Sequence, residues 1–281
     1  MKILTYQNGN LTEEDSDSSN VKRISKDKIK KLVVKSGTSV VTDNCSMNLP
    51  AMVDIARQLS IVRKEYDIDV AYVSSGAIGF GMIEDGITER PTDIYKLMQL
   101  STLGQGKLFS QYCQFLQNYG LKATQILVNE HDLDSHLHLD NLKKQFDISF
   151  KEKNKIPIIN ANDATWGYEI KESDNDGISA VIAERIMNAD LMIVLSNIDG
   201  VYNKNPKDPD AKLISHIYSI DDKLRSFTDG KSTNGTGGAE SKFKISENFS
   251  GPYIVANGRT QNTIIDILEG KTIGTYFEGR K

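Results

Sequence analysis

Two lysines stand beside small and polar residues that suit the binding of an anion. Lys35 precedes a turn containing Gly37 and Thr38, and Lys242 follows the glycine-rich stretch 234–239, "NGTGGA". Backbone N–H groups in such turns, together with a helix N-terminus, can surround a phosphate group. A lysine about 4 Å from a phosphate oxygen gains about 4 kcal/mol at an effective dielectric constant near 20. A helix N-terminus contributes only about 0.3–1 kcal/mol, so the lysines are predicted to dominate the stabilisation of a transferred phosphoryl group.

Polar and acidic residues also follow other short apolar runs of the sequence. They are Ser75, Gly76, Asn162, Asp163, Asp174, Asn175, Asp176, Ser196, Asn197 and Asp199. Each group taken alone is typical of an ordinary turn. Several such groups, all placed where strands end, favour a shared site instead. Lysines, carboxylates and N–H-rich loops suit phosphoryl transfer, in which the protein positions reactants and neutralises charge.

The apolar runs predict the elements that bring these turns together. They are rich in β-branched residues and nearly continuously apolar, as are strands covered on both faces. The runs are 31–35, 69–74, 123–128, 155–160, 190–196 and 252–256. Helix-length segments lie between them, for example 49–65, 93–119 and 177–188. This alternation predicts an α/β protein, a three-layer αβα sandwich with a mostly parallel central sheet that binds ligands at the carboxyl ends of its strands.

Composition excludes several classes of partner. The chain has 281 residues, a formal net charge of −4 and 26% charged residues, so no basic surface for nucleic acid is expected. Its apolar runs are too short to span a bilayer, and no membrane partner is expected. The distant cysteines Cys45 and Cys113 are typical of a reduced, cytoplasmic protein.

Residues 1–28 are predicted to form a flexible N-terminal arm ahead of a domain over residues 29–281. Between residues 7 and 28 the only aliphatic side chains are Leu11, Val21 and Ile24. Such a composition buries too little apolar surface to order itself.

Common nucleotide-binding motifs are missing from the sequence. "GQGKLF", residues 104–109, contains Gly-Lys but lacks the P-loop spacing and its following Ser or Thr. The HRD and DFG motifs of protein kinases are absent as well. Neither "SSGAIGFG" nor "GTGGAES" fits a dinucleotide-binding GxGxxG followed by a ribose-binding acid. A P-loop enzyme, a protein kinase and a Rossmann dehydrogenase are therefore disfavoured.

An ordered set of motifs resembles the amino acid kinase family from about residue 30 to residue 277. It includes "VVKSGTSVVT", "VSSGAIGFG", "GQGKL", "IPIINAND", "DNDGISA", "LSNIDGVYNKNP", "GTGGAESK" and "GTYF". The resemblance implies transfer of the γ-phosphoryl group of ATP to the side-chain carboxylate of L-glutamate. The product would be γ-glutamyl phosphate, in the first step towards proline. It also implies a homo-oligomer, a dimer or a tetramer.

The resemblance also assigns roles to individual residues. Lys35 and Lys242 would flank the transferred group as catalytic residues, with Asp163 orienting them. Substrate binding is implied for Ser75, Gly76, Asn162, Asp174, Asn175 and Asp176. Nucleotide binding is implied for Gly37, Thr38, Ser196, Asn197, Asp199, Gly235, Thr236, Gly237 and Gly238. Mg²⁺ would bridge the oxygens of ATP through water and phosphate, so no protein metal site is expected.

Departures from the family pattern leave alternatives open. The chain has Ser196-Asn197 where the family usually has Thr-Asp, which predicts an altered affinity for nucleotide. Lys143 and Lys144 stand near the position of an acid that would pair with the substrate ammonium. Another small carboxylate or phosphate could therefore be the substrate, or the chain could be a silent sensor of amino acid or nucleotide. Retention of the catalytic lysines argues against the sensor.

The sequence ends just after "GTYF". Many bacterial relatives continue there into a small RNA-binding-like domain, which this chain is expected to lack.

Overall fold

A computed structural model describes residues 2–15, 24–43, 46–165, 175–228 and 239–280, with the backbone alone at residues 130, 227 and 228. The strands are β1 Lys2–Gln7, β2 Asn10–Asp15, β3 Lys31–Ser36, β4 Thr42–Asp43, β5 Ser46–Met47, β6 Asp69–Ser74, β7 Lys122–Val128, β8 Lys155–Ala161, β9 Leu191–Ser196, β10 Ile214–Ile217, β11 Tyr253–Asn257 and β12 Thr275–Phe277. The α-helices are α1 Thr38–Val41, α2 Leu49–Lys64, α3 Ala77–Glu84, α4 Ile94–Gln117, α5 Glu130–Asp134, α6 His136–Lys151, α7 Asn175–Val181, α8 Asp222–Thr228, α9 Ala239–Asn248 and α10 Thr263–Leu268. A π-helical turn, Ile182–Met187, continues α7.

Ten of the strands form one sheet in the order β2-β1-β10-β12-β11-β9-β3-β6-β8-β7. The strands from β11 through to β7 run parallel to one another. β12 is antiparallel to β11, and β10 and β1 follow it in parallel pairing. The prediction of a mostly parallel α/β sheet is confirmed. The carboxyl ends of β3, β6, β8 and β9 therefore meet at one edge of the sheet.

Two apolar cores cover the two faces of the sheet, as a three-layer fold requires. Leu32 and Val34 of β3 face one core, which includes residues of α2, α4 and α10. Val33 faces the other core, which includes residues of α7 and α9. Because side chains alternate along a strand, Lys35 lies on the same face as Val33, under α7 and α9. The alternation of side chains along β3 thus decides which helices Lys35 contacts.

The prediction of a flexible N-terminal arm is wrong for residues 2–15, which form a hairpin that extends the sheet. β1 pairs in parallel with β10, and β2 pairs antiparallel with β1. The two-residue turn has Asn8 at φ 47° and Gly9 at φ 81°, a positive-φ pair that Asn-Gly adopts readily in hairpins. Composition averaged over residues 7–28 hid this turn signal. Residues 16–23 lie outside the described residues.

Burial of Tyr6 predicts that the hairpin stabilises the protein. Tyr6 is fully buried against the apolar core, and its hydroxyl donates a hydrogen bond to Asp221. Tyr6→Ala is expected to lower the free energy of unfolding by about 3–5 kcal/mol, as other aromatic truncations in cores do. In denaturant titrations, Gln7→Ala on the same strand, where the side chain is exposed, should change it by less than about 0.5 kcal/mol. Equal stability of the two variants would contradict this packing.

Candidate active site

Two lysines share one buried carboxylate at the carboxyl edge of the sheet. Lys35 Nζ lies 2.5 Å from Asp176 Oδ1, and Lys242 Nζ donates a hydrogen bond to Asp176 Oδ2. The exposed fractions of Lys35, Asp176 and Lys242 are 6%, 3% and 8%. Lys35 and Lys242 are 207 positions apart in the chain and therefore lie side by side only because of the fold. We call Lys35, Asp176 and Lys242 the lysine–aspartate cluster.

Each member of the lysine–aspartate cluster is held by a regular element. Lys35 lies at the end of β3, which is paired on both sides, with β6 and with β9. Asp176 is in the first turn of α7, and Lys242 is in the first turn of α9. The carbonyl of Lys242 accepts a hydrogen bond of 3.0 Å from the buried Tyr253 hydroxyl, while its Nζ lies 3.1 Å from Ser241 Oγ. Regular elements thus hold the backbones of the two lysines, and Asp176 holds their ammonium groups.

The cluster combines two lysine side chains and one carboxylate in a buried position. Burial by itself raises the pKa of Asp176, but the ammonium groups of Lys242 and Lys35 outweigh burial and lower that pKa below its usual range. Asp176 is therefore ionised at neutral pH, and the two lysine side chains of the cluster share this one carboxylate. A partly desolvated positive charge is attractive to an anion, because opposing charges interact more strongly where water is excluded.

Glycines shape the two turns next to the cluster. Gly37 precedes α1, and its N–H donates to the carbonyl of Leu195 at 3.1 Å. A Cβ atom at this position would lie 3.9 Å from Lys35 Nζ. Gly76 precedes α3 with φ at 110°, and a Cβ atom there would lie 2.8 Å from Val41 Cγ2. The left-handed φ and this close approach both favour glycine, so the turn after β6 keeps its backbone near the site.

Substrate residues predicted from the sequence meet between β6 and α7. Asn175 Nδ2 donates to Ser75 Oγ at 2.8 Å and lies 3.2 Å from Asn160 Oδ1. Ser75 and Asn175 are each 7% exposed, and the oxygen Asn175 Oδ1 is buried without a hydrogen-bond partner among the described residues. Because Asp176 directly follows Asn175, this polar group adjoins the lysine–aspartate cluster.

Asp176, and not Asp163, is the described carboxylate that contacts both lysines. Asp163 lies in the turn after β8 and makes no ion pair with any described residue. Burial raises the pKa of Asp163 to about 6, and the Arg90 charge lowers it only in part. Both acids follow β8 in the sequence, but only Asp176 is carried by α7 onto the face where Lys35 lies. The sequence does not show which of the two acids lies next to Lys35, because that depends on how α7 packs on the sheet.

The predicted nucleotide residues Ser196, Asn197 and Asp199 lie at the end of β9, next to β3. Asp199 accepts hydrogen bonds from Asn257 Nδ2 at 2.9 Å and from the Tyr202 hydroxyl at 3.1 Å. The Ser196 carbonyl accepts from the N–H of residue 258 at 2.8 Å. These bonds connect the end of β9 to the loop that follows β11.

Arg259 is a residue of this region that the sequence analysis missed. Its Nε and Nη2 atoms donate to the Ser39 carbonyl at 3.0 and 2.8 Å. The guanidinium therefore joins the loop after β11 to the turn that follows Lys35. The motif "VANGR", residues 255–259, was the available signal.

Other predicted residues are placed as follows. Thr38 is the first residue of α1, and the N–H of Asn162 donates to the Val128 carbonyl at 2.8 Å. Lys143 and Lys144 are exposed on α6. Asp174, Gly235, Thr236, Gly237 and Gly238 lie outside the described residues.

Two kinds of feature are absent from the described part of the chain. No group of three or more His, Cys, Asp or Glu side chains there could hold a metal ion. Among the helices of the same residues, none has the length and apolar character needed to cross a membrane.

This fold is shared with two solved structures of kinases. UMP kinase from Bacillus anthracis matches it with a TM-score of 0.59 over 89% of this chain and 96% of that one. Isopentenyl phosphate kinase from T. acidophilum, solved as a product complex, matches with a TM-score of 0.57 over 88% and 100%. Both are 17% identical in sequence, so the likeness concerns the fold.

Sequence comparison then gives the family. The sequence model of the amino acid kinase family matches residues 30–247. The glutamate 5-kinase of Ligilactobacillus salivarius is 38% identical over 258 residues, which cover 88% of this chain and 96% of the relative. The glutamate 5-kinase of Clostridium tetani is 36% identical over 259 residues, covering 90% and 96%. The chain belongs to the amino acid kinase family.

Proposed function

We propose that this protein is an ATP-dependent glutamate 5-kinase. It transfers the γ-phosphoryl group of Mg·ATP to the side-chain carboxylate of L-glutamate and so makes γ-glutamyl phosphate, the first step towards proline. The observation that carries the proposal is the lysine–aspartate cluster, which unites Lys35 and Lys242 at the edge of the sheet. The names of the curated relatives, glutamate 5-kinases of similar length, indicate that glutamate is the phosphoryl acceptor.

In the proposed reaction, a carboxylate oxygen of glutamate attacks the γ-phosphorus of ATP. One phosphorus–oxygen bond forms as the bond to the β-phosphate oxygen breaks, and ADP leaves with that oxygen and its electron pair. Phosphoryl transfer spreads negative charge over the equatorial oxygens and over the attacking and leaving oxygens. Lys35 and Lys242, held in a site of low dielectric, stabilise that charge without having to reorganise.

Asp176 keeps the two ammonium groups together while no phosphate is bound. Like charges in a buried site repel each other, and an ionised carboxylate between them removes most of this cost. The cluster is therefore preorganised for a phosphoryl group with three acceptor oxygens. Asp163, whose carboxyl has a raised pKa, remains a proposed catalytic residue on the side of the site nearest β8.

The remaining site residues divide between the two substrates in this proposal. Glutamate is held by Ser75, Gly76, Asn162, Asp174, Asn175 and Asp176. The nucleotide is held by Gly37, Thr38, Ser196, Asn197, Asp199, Gly235, Thr236, Gly237 and Gly238. Asp176, which binds both lysines, touches the transferred group only through them. Mg²⁺ enters with ATP and is held by phosphate and water, as this strongly hydrated ion prefers.

Hydroxylamine trapping tests the proposal. γ-Glutamyl phosphate is a mixed anhydride, and hydroxylamine converts it to γ-glutamyl hydroxamate, which ferric ion detects by colour. We expect hydroxamate to form only when ATP, Mg²⁺ and L-glutamate are all present, with one ADP released for each hydroxamate. Reactions that lack one component serve as controls.

If no hydroxamate forms, two other results would distinguish between the alternative functions. Phosphorylation of a different small acid, with none of glutamate, would favour a kinase of changed specificity, in keeping with the exposed Lys143 and Lys144. Binding of nucleotide or amino acid without any turnover would favour a sensor. Either result would contradict the proposal.

Two further properties belong to the same proposal. We infer a cytoplasmic location, since ATP and glutamate are cytoplasmic metabolites. We also infer a homo-oligomer, a dimer or a tetramer, which light scattering of the purified protein would measure directly.

A further inference from the structure

Four side chains form a hydrogen-bonded chain across the carboxyl edge of the sheet. Gln105 Oε1 accepts from Asn160 Nδ2 at 2.7 Å. Asn160 Oδ1 lies 3.2 Å from Asn175 Nδ2, which also donates to Ser75 Oγ at 2.8 Å. Gln105 belongs to α4 on one face of the sheet, and Asn175 belongs to α7 on the other. We call Gln105, Asn160, Asn175 and Ser75 the amide chain.

Backbone groups fix the direction of the amide chain at two points. The N–H of Ala161 donates to Asn160 Oδ1 at 2.9 Å, so the Nδ2 of Asn160 must face Gln105. The carbonyl of Ser74 accepts from Asn175 Nδ2 at 3.3 Å, so the amide nitrogen of Asn175 must face the strand end. A backbone N–H can only donate and a carbonyl can only accept, and the orientation of both asparagines follows.

The direction of the hydrogen bonds in the amide chain determines which group Ser75 presents to a ligand. Ser75 Oγ accepts from Asn175, and its hydroxyl hydrogen donates to no described residue. A hydroxyl has one donor and two acceptor positions. Ser75 therefore presents a donor, which suits a carboxylate oxygen of the substrate.

Gln105 reaches the amide chain because α4 packs unusually close to α3. A Cβ atom on Gly104 would lie 1.9 Å from the Ala77 carbonyl oxygen and 2.3 Å from the Gly81 nitrogen. Only glycine permits backbones to approach so closely. Gln105, the next residue, is half-buried and is brought by this contact to the end of β8.

We propose that Gln105 is a positioning residue for the substrate carboxylate. By accepting from Asn160 Nδ2, it supports the direction that the backbone groups set, in which Asn175 donates to Ser75 and the Ser75 hydroxyl hydrogen can donate to a carboxylate of glutamate. This inference rests on the proposed function and deepens it. Gln105 lies in the motif "GQGKL", to which no role has been given so far.

Three substitutions of Gln105 distinguish an effect of hydrogen-bond direction from an effect of charge. Gln105→Met removes the acceptor, Gln105→Glu keeps an acceptor, and Gln105→Lys places a donor against the Asn160 amide nitrogen. Charge alone predicts that Lys improves and Glu weakens the binding of anionic glutamate. The amide chain predicts the opposite order, so the two explanations cannot be confused. Gln114→Met, exposed on the same helix, is the matched control.

We expect the KM for glutamate to rise by about 2–10-fold in Gln105→Met, as for the loss of one neutral hydrogen bond. It should rise further in Gln105→Lys and remain within about 3-fold of wild type in Gln105→Glu. kcat, the KM for ATP and Tm should stay close to those of wild type and of Gln114→Met. A residue that only stabilised the fold would not produce this selective effect on one KM or its rescue by Glu.

Other outcomes overturn the inference. An unchanged KM for glutamate in Gln105→Met, or a higher KM in Gln105→Glu than in Gln105→Lys, would exclude positioning through hydrogen-bond direction. Parallel losses in kcat, both KM values and Tm would indicate a structural role. Absence of hydroxamate from the wild-type protein would instead defeat the proposed function, and it is measured first.

Discussion

Lys242→Ala is expected to lower kcat for hydroxamate formation by about 10²–10³-fold, the loss typical of removing one preorganised charge-stabilising donor. The reason is that its ammonium group is one of two placed to meet the transferred phosphoryl group. Asp176 then retains Lys35 as its partner at 2.5 Å, so the fold should persist. Steady-state kinetics with saturating ATP and glutamate measure the effect.

Lys244→Ala is the matched control for this prediction. Lys244 lies two residues further along α9 and is exposed, so kcat should stay within about 2-fold of wild type, as for surface substitutions away from any site. Circular dichroism should show folded protein for both variants. Near-normal turnover of Lys242→Ala would contradict the role given to Lys242.

Asp176→Asn is expected to damage both stability and activity. Asparagine has no charge, so the ammonium groups of Lys35 and Lys242 would face each other in a buried site without a counter-charge. Removing one partner from a buried ion pair costs about 3–5 kcal/mol of unfolding free energy. Because the pKa of Asp176 is lowered, its stabilising effect is present above about pH 4, the ordinary value for aspartate, and is lost only as the pH falls further. Denaturant titration at pH 7 measures the loss.

Two controls show whether the cluster serves catalysis more than stability. The surface pair Lys107–Glu84, with side chains 44% and 45% exposed, should lose less than about 1 kcal/mol on Glu84→Gln. A triple variant with Lys35→Met, Asp176→Leu and Lys242→Met replaces the whole cluster with apolar side chains. Such replacements are often neutral or stabilising, so this variant should be folded and inactive. A stable and active Asp176→Asn protein would contradict the account.

The position of Lys35 could be predicted from the sequence because strand ends and side-chain alternation are local properties. "KLVVK" predicts a strand. Because side chains alternate along a strand, Lys35 is assigned to the face opposite Leu32 and Val34. The glycine turn after β6 was visible for the same reason.

The partner of the lysines could not be predicted, because it depends on how α7 packs. Asp163 and Asp176 both follow β8, and nothing in their spacing tells which of them lies over the end of β3. Gln105 was hidden in the same way, since its contact with Asn160 requires the close approach of α4 to α3. The Asn8-Gly9 hairpin differs from these two. Its turn signal was local, but the average composition of the segment outweighed it.

The central claim is that the ammonium groups of Lys35 and Lys242 contact the same transferred phosphoryl group. A crystal structure with ADP, Mg²⁺, glutamate and aluminium fluoride, a mimic of that group in transfer, tests it most directly. We predict both Nζ atoms at about 3 Å from the fluoride ligands, the distance of a hydrogen bond. A complex in which either nitrogen lies beyond hydrogen-bond reach of the mimic, facing another part of the protein, would contradict the account.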